Sequence, residues 1–341
     1  MIESLNTSNF SLIVCTYKRA VVLKNLLNSV ENQTLYPDEI LIIDGSPDDK
    51  TKTLLEVQTF KNIAYYKVDE KNRGLTKQRN YGVSKVSADC DIVCFLDDDI
   101  ILDQNYFEEL LKAYKVYPEA LGVSGYITNE TEWTKVEGSE NQNSNNFYFD
   151  GWSRVEGSRF SLRRKFGLAP DKDPGFMPDF SHGYSTGFLP PSGKIYKAEM
   201  LMGGLASYKR KLFKDMTFSS YFEGYGLYED ADFSLRASKK GQLYVNTAAT
   251  LAHHHDQEGR PNKFKYGKMV LRNGWYVWRI KYPDPGLKAR FKWHATALLL
   301  TTVRVSNVIT SSQKKEAFSE SIGRIFGWFS LLFNKPKPSS E

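Results

Sequence analysis

The chain has 341 residues, 41% hydrophobic and 25% charged. These proportions exclude global disorder, a collagen-like fibre and a polytopic membrane protein, and the length allows one large α/β domain with additions or two domains. The net charge of +6 is uneven: residues 259–341 carry 16 basic and 4 acidic side chains, and residues 1–258 carry 30 and 36, so the basic end suggests an anionic partner, nucleic acid or a membrane surface.

Residues 10–16 (FSLIVCT) are an apolar, β-branched run that predicts a buried strand. Residues 21–32 place apolar side chains at helical spacing. Residues 39–43 (EILII) predict a second strand, ending at Asp44 and followed by a loop over 45–48. A short helix over 51–57, a strand over 63–67 and a helix over 75–86 come next. Residues 91–96 (DIVCFL) predict a fourth strand that runs into Asp97, Asp98 and Asp99. This alternation implies right-handed crossovers and a largely parallel sheet. Ligands of such sheets sit at the carboxyl ends of the strands. Thr16, Tyr17, Asp44 and the three aspartates all fall there, so three strand ends converge on one site.

The pattern then changes. Residues 129–198 are polar at first, then rich in Gly, Pro and aromatics without a sustained period, and predict a connection over the site. A helix is expected over 221–240 and a strand over 243–251. Helices are expected over 263–278, 287–312 and 316–333, with Pro283, Pro285 and Gly286 as breakers and KPKPSSE as a disordered tail. The three cysteines, Cys15, Cys90 and Cys94, form no CxxC and suit a reducing compartment. The opening MIESLNTSNF lacks the features of a signal peptide, and no stretch reaches the ~18 uncharged apolar residues of a spanning helix.

Five local features carry candidate chemistry. Three successive carboxylates repel one another unless a cation sits among them, and hard cations such as Mg²⁺ take oxygen ligands. Asp97 and Asp99, two apart after a strand, can point to one side; a solvated acidic turn is the plain alternative. Glu229 and Asp230 open a helix, where acidic residues also favour the dipole. His253, His254 and His255 end a strand and offer at most one imidazole ligand, or form a polar loop. Arg79, after the turn at Asn72-Arg73-Gly74, suits a phosphate or base, or a solvated helix face. Gly203 and Gly204 permit close approach of a backbone or a sugar, or mark a turn.

In order, these pieces resemble the family 2 glycosyltransferases of the GT-A fold over roughly residues 8–260. SLIVCTYKRAVVLKNLLNSV is similar to the family's first strand and helix, EILIIDGSPDDKT to its second strand with a nucleotide-contacting Asp, and NRGLTKQRNYG to its Gly-then-Arg-Asn segment. FLDDDI resembles its DxD motif, GGLASYKRKLF its acceptor-side glycines, and YEDADFSLRASKKG its Glu-Asp motif. Cys15 stands where the family usually has Pro, and Gly45 where a second Asp is common. The Gln-x-x-Arg-Trp motif of processive members is absent, which favours transfer of a single sugar.

The resemblance implies an α/β, Rossmann-like, mostly parallel sheet flanked by helices, with a helical C-terminal extension. The expected division is a catalytic domain over 1–258, with a nucleotide-binding half about 8–128 and an acceptor half about 129–258, and a basic extension over 259–341. It implies an inverting, metal-dependent glycosyltransferase that uses Mg²⁺ or Mn²⁺ and a nucleotide-sugar, UDP being the commonest nucleotide. The acceptor would be a glycan or lipid-linked glycan, in bacterial surface polysaccharide synthesis. Thr16, Tyr17, Arg19, Asp44, Arg79, Asp97 and Asp98 would bind the nucleotide-sugar. Asp99, with Asp97 and one of His253 and His254, would hold the metal. Gly203 and Gly204 would lie on the acceptor side, and Asp230, or else Glu229, would be the general base.

A catalytically inactive nucleotide-sugar or carbohydrate-binding protein on the same fold is the alternative. A nucleotidyltransferase is disfavoured because CTYKRAVVL has no glycine. The basic C-terminal helices, carrying Trp and Phe, suit the surface of an anionic membrane, with packing on the domain or an oligomer contact as the other readings. That places the chain in the cytoplasm, peripheral on the inner face of the cell membrane. Nucleic acid is not expected, since no nucleic-acid motif is present.

Overall fold

The computed structural model describes residues 8–136, 143–222, 224–255 and 261–338. The apolar runs of the first hundred residues form strands β1 (Phe10–Thr16), β2 (Glu39–Asp44), β3 (Ile63–Lys67) and β4 (Ile92–Asp97), separated by helices α1 (Ala20–Glu31), α2 (Lys50–Val57) and α3 (Leu75–Val83). Strand β5 (Ile100–Leu102), helix α4 (Tyr106–Val116) and strand β6 (Gly122–Ile127) follow. Residues 129–198, expected as a connection, hold strands β7 (Thr134–Lys135), β8 (Asn146–Phe149) and β9 (Trp152–Val155), helix α5 (Ser158–Lys165) and strand β10 (Ile195–Ala198). Strand β11 (Ala206–Lys209), helix α6 (Glu229–Ser238) and strand β12 (Leu243–His253) come next. Helices α7 (Lys263–Lys281), α8 (Leu287–Thr310) and α9 (Lys314–Phe333) end the described chain. Helix α6 starts later than the sequence suggests, because Gly224, Gly226 and Tyr228 before it hold left-handed backbone angles.

The main sheet runs β10-β12-β6-β11-β4-β1-β2-β3, with β5 paired to β12. β1 pairs in parallel with both β2 and β4, β2 with β3, and β6 with β12. β11 runs antiparallel between β4 and β6, so six of the nine strands share one direction. Leu12, Val14, Ile40, Ile42, Cys94 and Leu96 pack with α1 and α4 on one face. On the other face Gly82 of α3 lies on Ile13 and Ile43. Burial on both faces explains why these strands are unbroken apolar runs.

The chain divides into two compact units, residues 1–130 with 191–259, and residues 131–190 with 260–341. In the second, β7, β9 and β8 form a small antiparallel sheet. Trp278 Nε1 of α7 donates to the Asp179 carbonyl, and Lys281 Nζ to that of Met177. Helices α7 and α9 cross at glycines: a Cβ on Gly327 would lie 2.9 Å from the Lys268 carbonyl, and one on Gly267 or Gly323 would land on a backbone carbonyl. Cys15, Cys90 and Cys94 are free thiols, and burial pushes Cys15 up to about 12.

Candidate active site

All candidate residues fall in the first unit, at the carboxyl ends of β1, β2 and β4, around the end of β12, on α3, just before β11 and at the start of α6. The three aspartates at the end of β4 take different partners. Asp98 turns inward and accepts from Thr16 Oγ1 at 2.7 Å and Arg19 Nη1 at 2.9 Å. Burial pushes Asp98 up to about 6, against the pull of Arg19 and Thr16. Asp97 and Asp99 meet His253, with ligand atoms of all three within 4.8 Å of one another, and Asp99 Oδ2 also lies 3.6 Å from Arg19 Nη1. Asp97 is the accessible one, 41% exposed, and Asp99 is buried.

His253 Nε2 lies 3.2 Å from Asp99 Oδ1, and its Nδ1 lies 3.2 Å from Glu130 Oε1. Burial disfavours the charged ring, but the hydrogen bonds to Asp99 and Glu130 outweigh it and raise His253 to about 10. His255 Nε2 reaches Glu130 Oε1 at 2.8 Å, so Glu130, His253 and His255 form a second group that shares His253. The side chain of His254 is exposed and belongs to neither group; its backbone N–H donates to the Asp99 carbonyl at 2.9 Å. Two carboxylates with one imidazole suit a divalent cation such as Mg²⁺ or Mn²⁺, so the residues present fit the metal that the sequence implies.

Helix α6 delivers the second acidic pair. Tyr228 precedes it at φ 71, a left-handed conformation rare for a bulky residue and concentrated at functional sites. Glu229 is buried and accepts from Arg79 Nη1, while its Oε2 has no hydrogen-bond partner among the described residues. Burial pushes Glu229 up to about 8, against the pull of Arg79. Asp230 is half-buried; its Oδ1 accepts from the Ala231 N–H at 2.8 Å and its Oδ2 from the Gly203 N–H at 3.4 Å. Burial raises Asp230 above its ordinary value as well.

Arg79 is buried, spans Glu229 and Asp97, and lies against the rings of Phe95 and Phe218. Its guanidinium is thus committed to the two acidic groups. The glycine pair makes this assembly possible. A Cβ on Gly203 would sit 2.7 Å from Glu229 Oε1 and 2.9 Å from Asp230 Cβ, and one on Gly204 would overlap the Asp97 carboxylate.

At the neighbouring strand ends, Asp44 is fully buried, accepting from the Ser46 N–H at 2.7 Å and the Tyr65 hydroxyl at 2.9 Å. Arg73 and Lys18 lie over the Tyr17 ring, and Arg73 Nε donates to the Gly45 carbonyl at 2.8 Å. Gln78 donates to the Thr16 and Ile43 carbonyls and ties β1 to β2. Gly74 opens α3 at φ 116, and a Cβ there would meet the Gly224 backbone at 3.2 Å. Sequence reasoning missed Glu130 and Gln78, and it singled out the His triplet and the Asn72-Arg73-Gly74 turn without giving His255 or Arg73 a role. For His255 a signal existed, since residues two apart in the triplet share a side; Glu130 follows a polar run with nothing to mark it.

A family model described as Glycosyl transferase family 2 matches residues 11–216, more than half of the chain and all of the strand ends except that of β12. The chain belongs to glycosyl transferase family 2. Among curated family relatives, it is 35% identical over 92 residues to the O-antigen chain rhamnosyltransferase RfbN of Salmonella typhimurium, 27% of this chain and 28% of that protein. It is 30% identical over 115 residues to the GalNAc(5)-diNAcBac-PP-undecaprenol beta-1,3-glucosyltransferase of Campylobacter jejuni, 33% of this chain and 37% of that protein. The matched segments thus span about a third of these relatives. The fold is the GT-A fold. GalNAc-T7, solved with UDP, GalNAc and Mn²⁺, superposes with a TM-score of 0.53 at 15% identity over 99% of this chain and 60% of that one. TarS 1-349 of S. aureus superposes with a TM-score of 0.50 at 15% identity, over 94% and 80%.

Proposed function

We propose that this family 2 member moves one sugar from a nucleotide-sugar, with UDP as the leading nucleotide, to a hydroxyl of a glycan or lipid-linked glycan, with inversion at the anomeric carbon. The observation that carries the reading is the glycine pair. Gly204 packs on Asp97 of the Asp97–Asp99–His253 group, and Gly203 donates to Asp230, so a metal-ligand set and a half-buried base share one short segment.

Asp97, Asp99 and His253 would hold Mg²⁺ or Mn²⁺, which when bound offsets the negative charge that grows on the departing diphosphate. Thr16 and Tyr17, with Arg19, Asp44 and Asp98 bracing the strand ends, form the nucleotide side. Asp230 takes the proton of the acceptor hydroxyl as that oxygen attacks the anomeric carbon. The bond to the diphosphate breaks on the opposite face, and the nucleoside diphosphate leaves with the electron pair. Glu229 is a poorer base, being buried and bound to Arg79. The relatives named for O-antigen and undecaprenol-linked sugars support a role in bacterial surface polysaccharide synthesis. We place the reaction in the cytoplasm at the inner face of the membrane, where a lipid-linked acceptor is presented.

The test is nucleotide release from a panel of UDP-, dTDP- and GDP-sugars, with Mn²⁺ or with EDTA. Release from one donor, abolished by EDTA, is the expected result. Binding of a donor without release under any condition would turn the reading to an inactive binding protein.

A further inference from the structure

A helix on a water-facing domain ordinarily turns its apolar stripe to the core and its polar side outward. Helices α8 and α9 depart from this by also carrying a long exposed apolar stripe. Along α8, Leu287, Phe291, Leu298, Val305 and Ile309 recur at steps of four or seven, and all are exposed, Leu287, Phe291 and Ile309 at 85%, 73% and 81%. Along α9, Phe318, Ile325, Phe329 and Leu332 follow at steps of seven, four and three, with Phe326 and Phe333 beside them, all exposed. The buried positions of the same helices mix Trp293 and Leu331 with the polar Thr296, Thr301, Glu320 and Ser321. Glu320 binds Arg304 of α8 at 2.9 Å and Arg324 of α9 at 2.8 Å. The helices thus bury a mixed set of apolar and polar groups and leave a second apolar stripe facing outward.

We propose that this outward face docks on an anionic phospholipid bilayer, with α8 and α9 lying in the interface. No helix among the described residues is long and apolar enough to cross a membrane, and stripes this long with basic flanks suit the headgroup boundary. Charge selects the lipid. The segment 259–341 holds 16 basic and 4 acidic residues, and Lys288, Lys314, Lys315, Lys335 and Lys337 are exposed at the helix ends. An anionic surface attracts these lysines. A second copy of the chain would instead bring the same positive excess against itself. The face gives the membrane location proposed above its surface, and it is tested through binding alone, so a failure of sugar transfer leaves it standing.

The experiment is flotation of the full chain with vesicles of phosphatidylglycerol and phosphatidylcholine in equal parts, and of phosphatidylcholine alone. We expect flotation with the anionic vesicles, weakened by salt, and little with the neutral ones. Phe291→Glu with Leu298→Glu, and separately Phe326→Glu with Phe329→Glu, should each lower binding about tenfold or more, because each removes two large side chains from the buried set. Their melting curves and nucleotide release should stay as in the parent. Lys314→Gln with Lys315→Gln should lower binding to anionic vesicles alone. Parent-level binding by both apolar variants would overturn the proposal. So would a parent that floats with neither vesicle and sediments as a dimer which those variants dissolve, which would assign the face to a second copy.

Discussion

Two adjacent carboxylates, Glu229 and Asp230, share the first turn of α6 yet differ in environment. Glu229 is buried against Arg79, whereas Asp230 is half-buried and its carboxylate is held by two backbone N–H groups. A positioned base is worth ~10²–10⁴ in rate. Asp230→Asn should therefore lower kcat by about that factor in steady-state kinetics, with Mn²⁺ affinity unchanged by calorimetry; parent-level kcat would remove Asp230 from the mechanism. The pH profile follows from the same burial. The base works only when deprotonated, and burial favours its protonated form. The acid limb of kcat/KM should lie above the 3.8 of a free aspartate and be absent from the residual rate of Asp230→Asn. Arg79 offers a second test. It compensates Glu229 and Asp97 from a position 3% exposed, and removing one partner of a buried pair costs about 3–5 kcal/mol. Arg79→Met should lose about that much stability on denaturant unfolding. A variant of parent stability that has lost only nucleotide affinity would instead return Arg79 to the nucleotide-contacting role that its sequence context suggests.

At the scale of elements, legibility tracked burial on two faces. Strands β1, β2 and β4 are apolar runs because helices cover both sides, and each ends in the polar residues that mark the site. Strands β7 and β8 are exposed or half-buried along their length, so neither alternation nor an apolar run separates them from a loop. Helix α4 carries a signal of its own in the sequence: Tyr106, Phe107, Leu110, Leu111 and Tyr114 at helical spacing, all buried. The glycine pair was visible, but its reason was not. Close approach was expected for a sugar or backbone, and the groups that press on it are Asp97, Glu229 and Arg79, brought from three distant segments. In the same way the outward stripe of α9 was legible as a run of Ile, Phe and Leu, while the side it faces depends on the glycine-mediated crossing with α7.

Over the whole molecule, charge and chemistry are divided between the two units. The acidic groups around Asp97, Glu229 and His253 all belong to residues 1–130 and 191–259, and the basic helices belong to the other unit. A donor with Mn²⁺ and an anionic membrane should then protect different segments. Hydrogen exchange reads both at once, because local opening reports where a ligand binds. Mn²⁺ with the preferred nucleotide-sugar should slow exchange in peptides covering 97–99, 203–204 and 229–230 and leave 287–333 unchanged. Anionic vesicles should slow 287–333 and leave the strand ends unchanged. Donor protection without slowing at 229–230 would leave nucleotide binding intact but separate it from the proposed base. Vesicle protection concentrated on 10–102 would show that the membrane meets the catalytic unit, and would remove α8 and α9 as the docking face.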